Sequence, residues 1–565
     1  MLTYEGASFR LLFPEDRPFA ELQREKGKIL ADLFVLSSVN TIDNRDDTTE
    51  IGNWQRQQSD DGVMFSLNTQ SSIWSEKEYR IYCFPNRIQY EIVLEGAGYL
   101  TDVNYFGGYS SSQLRWGSGF FWSGQNFDKG FNPEPNMQEK IYFSADGTSQ
   151  IDLMGVPLPA RGDWFFTPPP FCFVMEHEGS WLSFGIESER GENSYTQFVY
   201  HGTSGGFYLT LHFEGETSVK GRKVLPRIGI DFAIDPYEGL NAHVQSLYKQ
   251  NIIPENTTSK QHTWWKQPIF CGWGEQCYLA SQEDGHAPDY ARQENYDKFL
   301  SILEENSIEP GIIVIDDKWQ KTYGDNKVDC EKWPNIRAFI DRQHAKNRKV
   351  LLWLKAWESE GLPSEECITN ASGKVVALDP THPQCETRIR RAVQRMLSPD
   401  GYDADGFKID FTARIPSGPN MHLYQDVWGL ELMKLYLGII YSESKNAKQD
   451  ALIISHTPHP YLADVTDMIR LNDINTGQPV NPAMEHRAKV ARIACPNLLI
   501  DTDNWPMPDK ATWRKYIYIQ PKLGVPSLYY ASHIDASGEV FTNADYALIR
   551  EVWKQWKAQQ EVDIL

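Results

Sequence analysis

Apolar and polar residues alternate along short runs in the first part of the chain. Clear examples are Tyr79–Phe84, Ile88–Val93, Trp181–Gly185 and Phe207–His212. Glycine, asparagine, aspartate and proline separate the runs, and helical periodicity is sparse in this part of the sequence. Because alternation marks strands that bury one face, the pattern predicts a large antiparallel β-sandwich over residues 1–236.

A short segment separates this region from a different pattern. Tyr237–Gln250 has the periodicity of a helix, and the polar stretch Pro254–Lys260 follows it. Together these segments predict a helical linker over residues 237–261.

Short apolar strands alternate with amphipathic helices over residues 262–565, which is typical of parallel β/α architecture. Eight strands are predicted: Pro268–Gly272, Gly311–Asp316, Lys349–Leu354, Gly406–Asp410, Leu452–Ser455, Met468–Leu471, Asn497–Asp501 and Ser527–Tyr530. The predicted helices are Tyr290–Asn306, Asn335–Asn347, Glu386–Leu397, Tyr424–Ser444, Glu485–Ala494, Lys510–Leu523 and Ala544–Gln559. Repeats of this kind predict a (β/α)8 barrel.

The predicted fold class is therefore multidomain, β plus α/β. It has an N-terminal antiparallel β-sandwich, a (β/α)8 TIM barrel over residues 262–565 and no C-terminal β-domain. A doubly wound open sheet is the alternative for the second half. It is disfavoured because no Gly-x-Gly-x-x-Gly turn follows a predicted strand.

Charged and aromatic residues follow most of the predicted barrel strands. The carboxyl ends of barrel strands meet at one mouth, where active sites of such barrels lie, so these residues are candidates for a site. In strand order the candidates are Trp273; Asp316, Asp317 and Trp319; Trp353 and Lys355; Lys408 and Asp410; His456; Arg470 and Asp473; and Asp503. For Asp501 and Asp503 a loop cap and a ligand contact both stay open.

Two carboxyl groups at one barrel mouth are what cleavage of a glycosidic bond requires. One must stay ionised; Lys408 lies two residues before Asp410, on the same face of the strand, and its ammonium would lower the carboxyl pKa. The other must hold a proton, and Asp473 is the candidate. A lone strand-end aspartate is often only a cap, but charged residues on five strand ends favour a catalytic site.

Composition narrows the class of partner. A net charge of −21 without a basic stripe argues against nucleic acid. No stretch is apolar enough to span a membrane, and no signal peptide is recognisable, so a cytoplasmic location is expected, with secretion after signal removal as the alternative.

The histidines lack ligand spacing, so no metal and no cofactor are expected. Aromatic residues make up 13% of the chain, which fits core packing and also sugar stacking.

Several of these strand-end segments resemble glycoside hydrolase family 36, the α-galactosidase and raffinose-synthase family of clan D. Val314–Gln320 is similar to its strand-two signature IDDGWQ, and Gly406–Phe411 matches its K-x-D strand. Met468–Asp473 resembles the V-V-R-x-S-D/E-D strand of the raffinose-synthase branch. Further similar segments are Lys349–Leu354, Leu499–Trp505 and Gly524–Tyr529, and the resemblance covers about Gln267–Ile534.

The resemblance implies a retaining α-glycosidase that hydrolyses terminal α-linked sugars, expected to be α-galactosides, through a covalent glycosyl-enzyme. Carried over by position, Asp410 would be the nucleophile and Asp473 the acid/base. The residues expected to bind the glycoside or oligosaccharide substrate are Asp316, Asp317, Trp319, Trp353, Lys355, Lys408, His456, Arg470, Asp503 and Trp273. A homo-oligomer is left open.

Two departures from the family pattern keep other functions open. Lys318 stands where the signature has glycine, and Ser455–Pro458 replaces the C-x-S-G-G region on strand five. The alternatives are a raffinose-synthase-like α-galactosyl transglycosidase and an α-glucosidase. From a different class, a non-catalytic carbohydrate-binding protein on a degenerate scaffold is the third reading, which the presence of both Asp410 and Asp473 opposes.

Overall fold

The structure, a computed structural model, describes residues 1–24, 28–58, 62–110, 120–122, 169–177, 180–203, 206–253, 261–412, 414–418, 420–474 and 479–562. The predicted linker stretch Pro254–Lys260 lies outside the described residues. Within these ranges, no helix has the length and apolar character needed to cross a membrane.

Antiparallel sheets make up the first part of the chain. Its strands are β1 (Leu2–Glu5), β2 (Arg10–Phe13), β3 (Phe19–Arg24), β4 (Lys28–Phe34), β5 (Ser38–Thr41), β6 (Thr48–Ile51), β7 (Gln55–Gln58), β8 (Val63–Ser71), β9 (Glu76–Phe84), β10 (Arg87–Tyr105), β11 (Gly107–Ser110), β12 (Phe120–Trp122), β13 (Cys172–His177), β14 (Ser180–Glu187), β15 (Gln197–Thr203), β16 (Gly206–Val224) and β17 (Arg227–Ala233). Strands β1–β4 form a four-stranded sheet, and an eleven-stranded sheet is built around β10, which pairs with β9, β16, β17 and β5.

The two larger sheets pack against each other through aromatic side chains. Phe13 of β2 stacks on Phe65 of β8 with ring centroids 4.2 Å apart, and Phe9 stacks on Phe232 of β17 at 4.8 Å. Exposed and buried positions alternate along β9, as expected for a strand with one face in the core. The predicted β-sandwich is confirmed.

A parallel eight-stranded sheet forms the second part, in the order β26-β25-β24-β23-β20-β19-β18-β27. Its strands are β18 (Ile269–Cys271), β19 (Ile312–Ile315), β20 (Lys349–Lys355), β23 (Gly406–Asp410), β24 (Leu452–Ser455), β25 (Met468–Arg470), β26 (Leu499–Asp501) and β27 (Ser527–Leu528). A parallel bridge between Asp501 and Val525 links the two ends of this order and nearly closes the ring. Every predicted barrel strand is present with ends within two residues of the prediction, which confirms the (β/α)8 barrel.

Helices surround the barrel and connect its strands. They are α1 (Pro236–Lys249), α2 (Trp273–Glu283), α3 (Gln293–Glu305), α4 (Ile336–Ala345), α5 (Pro383–Leu397), α6 (Gly429–Ala447), α7 (Val480–Ala494), α8 (Lys510–Leu523) and α9 (Asn543–Val562). Aspartate side chains cap the starts of two of them: Asp235 accepts from two backbone amides of α1, and Asp509 accepts from the amide of Thr512 in α8. Helix α2 and the hairpin of β21 (Cys367–Thr369) and β22 (Val375–Leu378) were not predicted.

Two glutamate side chains connect the sandwich to the barrel. Glu431 of α6 accepts hydrogen bonds from the backbone amides of Gly191 at 2.8 Å and Asn193 at 3.0 Å. Glu216 of β16 accepts from the amide of Gly418, at 2.5 Å, in the loop that follows β23. The sandwich therefore contacts a loop that begins at the barrel mouth.

Candidate active site

The carboxyl ends of the barrel strands surround a cavity of about 340 Å³, within the size range of small-molecule sites. Most of the predicted site residues line it: Trp273, Asp316, Asp317, Trp353, Lys355, Lys408, Asp410, Arg470 and Asp473. The other three, Trp319, His456 and Asp503, are fully buried behind the wall, where each contacts a lining residue.

Asp410 ends β23 and is held by donors from three sides. Trp353 Nε1 lies 3.2 Å from Oδ2, while His456 Nε2 lies 3.0 Å and Arg470 Nη2 lies 3.3 Å from Oδ1. Burial opposes the charge of Asp410, but Arg470 and His456, with a smaller effect of Lys408, hold its pKa well below the usual range. Asp410 is therefore an ionised carboxylate at the cavity wall.

A glycine starts the strand that carries Asp410. Gly406 has φ +153°, and a Cβ there would lie 1.9 Å from the carbonyl oxygen of Leu452 in β24. Only glycine allows the two strands to approach this closely. Gly406 thus belongs to the architecture that places Asp410.

Arg470 connects the carboxylates of the site. It is 2% exposed, and its Nη1 donates to Asp473 Oδ1 at 3.0 Å and to Asp503 Oδ2 at 2.6 Å, while Nη2 reaches Asp410. Asp503 also accepts from the backbone amides of Asn504 and Trp505. One guanidinium therefore fixes the orientation of both candidate catalytic carboxyls.

The second candidate carboxyl has the opposite protonation tendency. Burial raises the pKa of Asp473 to about 7, Asp503 and Asp410 add to the rise, and Arg470 opposes it. Asp410 is therefore ionised near neutral pH, while Asp473 can carry a proton. An ionised carboxylate and a protonated carboxyl are the two groups that an acid-assisted displacement needs.

Lys408 lines the cavity and pairs with Asp316. Lys408 Nζ is 2.7 Å from Asp316 Oδ2, and the thiol of Cys271, the last residue of β18, lies 2.9 Å from the same oxygen. Burial disfavours the ammonium, but Asp316 outweighs this effect and raises the pKa of Lys408. The lysine is therefore a fixed cation with an established carboxylate partner.

Asp317 and Lys355 occupy the wall next to this pair. Tyr323 Oη donates to Asp317 Oδ1 at 2.7 Å, and burial raises the pKa of Asp317 to about 7, with Tyr323 and Lys355 opposing the rise. Lys355 Nζ lies 2.6 Å from Glu358 and 4.6 Å from the centre of the Tyr323 ring.

Aromatic side chains form much of the remaining wall. Trp353 lines the cavity, and its carbonyl oxygen accepts from Trp319 Nε1 at 2.8 Å, so Trp319 supports the wall from behind. Trp273 starts α2 and meets Trp505 edge to face, with ring centroids 5.8 Å apart. Indole faces at a polar cavity are suited to stacking on pyranose rings.

Four lining residues were not among the predicted site residues: Phe411, Arg414, Trp505 and Tyr529. Trp505 and Tyr529 lie within segments whose resemblance to family motifs was visible in the sequence, so a signal existed for them. Phe411 directly follows Asp410, and Arg414 lies in an irregular loop where no periodicity points to the cavity.

Strained backbone is concentrated at the same strand ends. Non-glycine residues with φ between 52° and 73° follow β19, β20, β23, β25 and β26 within three residues, and they are Lys318, Trp357, Phe411, Asn472 and Asp503. Two of them are neighbours of the candidate catalytic carboxyls. Such conformations persist where the surrounding structure imposes them, typically at functional sites.

Among the described residues, the group with metal-ligand geometry is Asp341, His344 and Asp403. None of these residues lines the cavity, and Arg337 pairs with Asp341 at 2.7 Å. The cavity chemistry described above comes from carboxyl, ammonium, guanidinium and aromatic groups.

No protein-family model matches the chain, and no curated protein sequence matches it. Solved structures do resemble it. An α-N-acetylgalactosaminidase from Bifidobacterium bifidum, in complex with GalNAc, has a TM-score of 0.62 at 10% identity, over 99% of this chain and 94% of that one. A family 31 sulfoquinovosidase from E. rectale with an aza-sugar inhibitor has a TM-score of 0.54 at 11% identity, over 99% and 83%.

A glycoside hydrolase family 97 enzyme from Pseudoalteromonas sp. strain K8, in complex with acarbose, has a TM-score of 0.50 at 9% identity. It is matched over 98% of this chain and 83% of that one. At such low identities the likeness concerns the fold. The chain therefore shares its overall fold with these glycoside hydrolases.

Proposed function

We propose that the chain is a retaining α-glycosidase of the glycoside hydrolase family 36 type, with terminal α-galactosides as substrates. The observation that carries this proposal is the shared contact of Arg470 with Asp410 and Asp473. The pKa of one carboxyl is lowered and that of the other is raised, which matches a nucleophile and an acid.

In the proposed reaction Asp410 attacks the anomeric carbon and forms a covalent glycosyl ester. Asp473 gives its proton to the glycosidic oxygen, so the leaving alcohol departs neutral. In the second half-reaction the ionised Asp473 takes a proton from water, whose oxygen attacks the anomeric carbon and releases Asp410. Two inversions at the same carbon give net retention.

The remaining lining residues have substrate-binding roles in this proposal. Asp316 and Asp317 accept hydrogen bonds from sugar hydroxyls, and Lys408 donates one while it stays paired with Asp316. Trp353 and Trp273 supply apolar surface for the ring carbons. The likeness of the fold to known glycoside hydrolases supports the same class of substrate.

A panel of nitrophenyl α-glycosides tests the proposal. Galactose, glucose, N-acetylgalactosamine and xylose derivatives are compared, and proton NMR records the anomer that appears first. We expect fastest release from the galactoside and an α-anomer as first product. A β-anomer as first product would contradict the retaining mechanism, and absence of cleavage across the panel would contradict the enzymatic function.

A further inference from the structure

Two cationic side chains lie on one wall of the cavity, at the ring of Phe411. Lys355 Nζ is 5.5 Å from the centre of that ring, and Arg414 Cζ is 4.8 Å from it. All three residues line the cavity. Lys355 ends β20 and Arg414 belongs to the loop after the neighbouring strand β23, so two separate elements bring positive charge to the ring of Phe411.

The other two cations of the cavity serve the carboxylates of the site itself. Lys408 pairs with Asp316, and Arg470 pairs with Asp410, Asp473 and Asp503. Lys355 instead pairs with Glu358, which is not among the residues that line the cavity.

One carboxyl of the cavity lining, Asp317, carries less negative charge than the sequence indicates. Burial raises the pKa of Asp317 to about 7, so this carboxyl is partly protonated at neutral pH. A third cation, Lys318, lies close by and is paired with Glu360 at 2.8 Å. Its Nζ is 3.7 Å from the centre of the Tyr323 ring, and Lys355 Nζ is 4.6 Å from the same centre.

We propose that Lys355 and Arg414 bind an anionic substituent, a carboxylate or a sulfate-type group, on the sugar that occupies the cavity. This inference rests on the proposed glycosidase function and narrows its substrate to acidic α-glycosides. An ammonium and a guanidinium together offer several charge-assisted donors to one oxyanion. Because the chain has a net charge of −21, an anion needs such a local arrangement to be held at this surface.

The test compares nitrophenyl α-galactoside with the α-galacturonide and the α-galactoside 6-sulfate. We expect higher kcat/KM for an anionic substrate, and the two anionic arms distinguish carboxylate from sulfate recognition. In Arg414→Gln and Lys355→Gln the ratio of kcat/KM, anionic over neutral, should fall about 10- to 100-fold. Lys327→Gln is the matched control, because that lysine is 65% exposed and does not line the cavity.

Preference of the unchanged protein for the neutral galactoside, or equal loss on all substrates in both variants, would overturn the proposal. If no glycoside is cleaved, the proposed function has failed, and binding still tests the anion site. Isothermal titration with free galacturonate and free galactose then decides. Equal affinity for the two sugars would overturn the proposal, and tighter binding of galacturonate that is lost in Arg414→Gln would support it.

Discussion

Lys408 Nζ lies 2.7 Å from Asp316 Oδ2, and both side chains are at least 96% buried. The sequence placed Lys408 beside Asp410 and predicted that its charge would keep that carboxyl ionised. In the structure its salt bridge goes instead to Asp316, at the end of β19, two strands away in the barrel. Arg470 and His456 are the stronger influences on Asp410, and Lys408 acts in the same direction with a smaller effect.

The Lys408–Asp316 pair should behave as one unit in stability measurements. Lys408→Met and Asp316→Asn each leave a buried partner uncompensated, and each should lower the free energy of unfolding by about 3–5 kcal/mol. Urea denaturation of the double variant should show a loss smaller than the sum of the single losses by at least about 1 kcal/mol. Strict additivity would contradict a direct pair.

Asp410→Ala should lower kcat/KM on an activated α-galactoside by several orders of magnitude, because no carboxylate remains to attack the anomeric carbon. Added azide should restore turnover and yield a glycosyl azide. Asp400→Ala is the control, since Asp400 is exposed on the outside of the barrel. Near-normal activity of Asp410→Ala would remove the nucleophile assignment.

Activity should decline as pH rises through about 7. Burial raises the pKa of Asp473 to about 7, and only the protonated form can donate to the leaving oxygen. In Asp473→Asn this alkaline limb of the kcat/KM profile should vanish when a dinitrophenyl leaving group is used. Because the pKa of Asp317 is also raised to about 7, Asp317→Asn is the control and should keep the limb.

Arg470→Met should destabilise the protein by about 3–5 kcal/mol at neutral pH, because buried carboxylates lose their counter-charge. The pKa of Asp410 is depressed in the folded state, so its contribution to stability is present above the unfolded value of about 3.9 and lost as pH falls. The difference in stability between the unchanged protein and the variant should therefore shrink below about pH 4. Denaturant titrations from pH 3 to pH 7 measure this, and a constant difference would argue against the electrostatic account.

Lys318 offers a separate test of backbone strain. Its φ is +73°, at the position where the resembling family signature has glycine. Lys318→Gly and Lys318→Ala remove the same contacts with Tyr323 and Glu360, but only glycine adopts this backbone without strain. The glycine variant should be more stable than the alanine variant by about 1 kcal/mol in thermal unfolding. Equal stability would indicate that the strain is negligible.

The spacing of apolar residues was sufficient to predict the barrel, because the residues that each strand or helix buries are visible in its own short stretch of sequence. Because the carboxyl ends of barrel strands meet at one mouth, the sequence also predicts that Asp316, Asp410 and Asp473 lie close together. Cys271 and Tyr323 were not predicted as site residues. The contact of Cys271 with Asp316 depends on the distance between β18 and β19, and the contact of Tyr323 with Asp317 depends on the path of the irregular loop after β19.

The other features of the site that the sequence did not predict lie in a loop or involve several residues that contact one side chain. Arg414 lies in an irregular segment, where neither alternation nor helical period indicates direction. Arg470 was predicted as a site residue, but its contact with three carboxyl groups depends on how close the ends of β23 and β26 lie to β25, which the spacing along β25 does not indicate.

The contact between Glu216 and the amide of Gly418 links the sandwich to the loop that carries Arg414. A residue of the sandwich thus holds one end of the loop that carries the cavity-lining Arg414. A barrel of residues 262–565 produced alone, or fused to a foreign β-domain, would lose the hydrogen bond between Glu216 and the amide of Gly418. We expect the loop that carries Arg414, and with it the cavity wall, to differ in such a protein. The two halves are therefore expected to be inherited together, and substitutions along β16 are a route by which selectivity can change without altering the barrel.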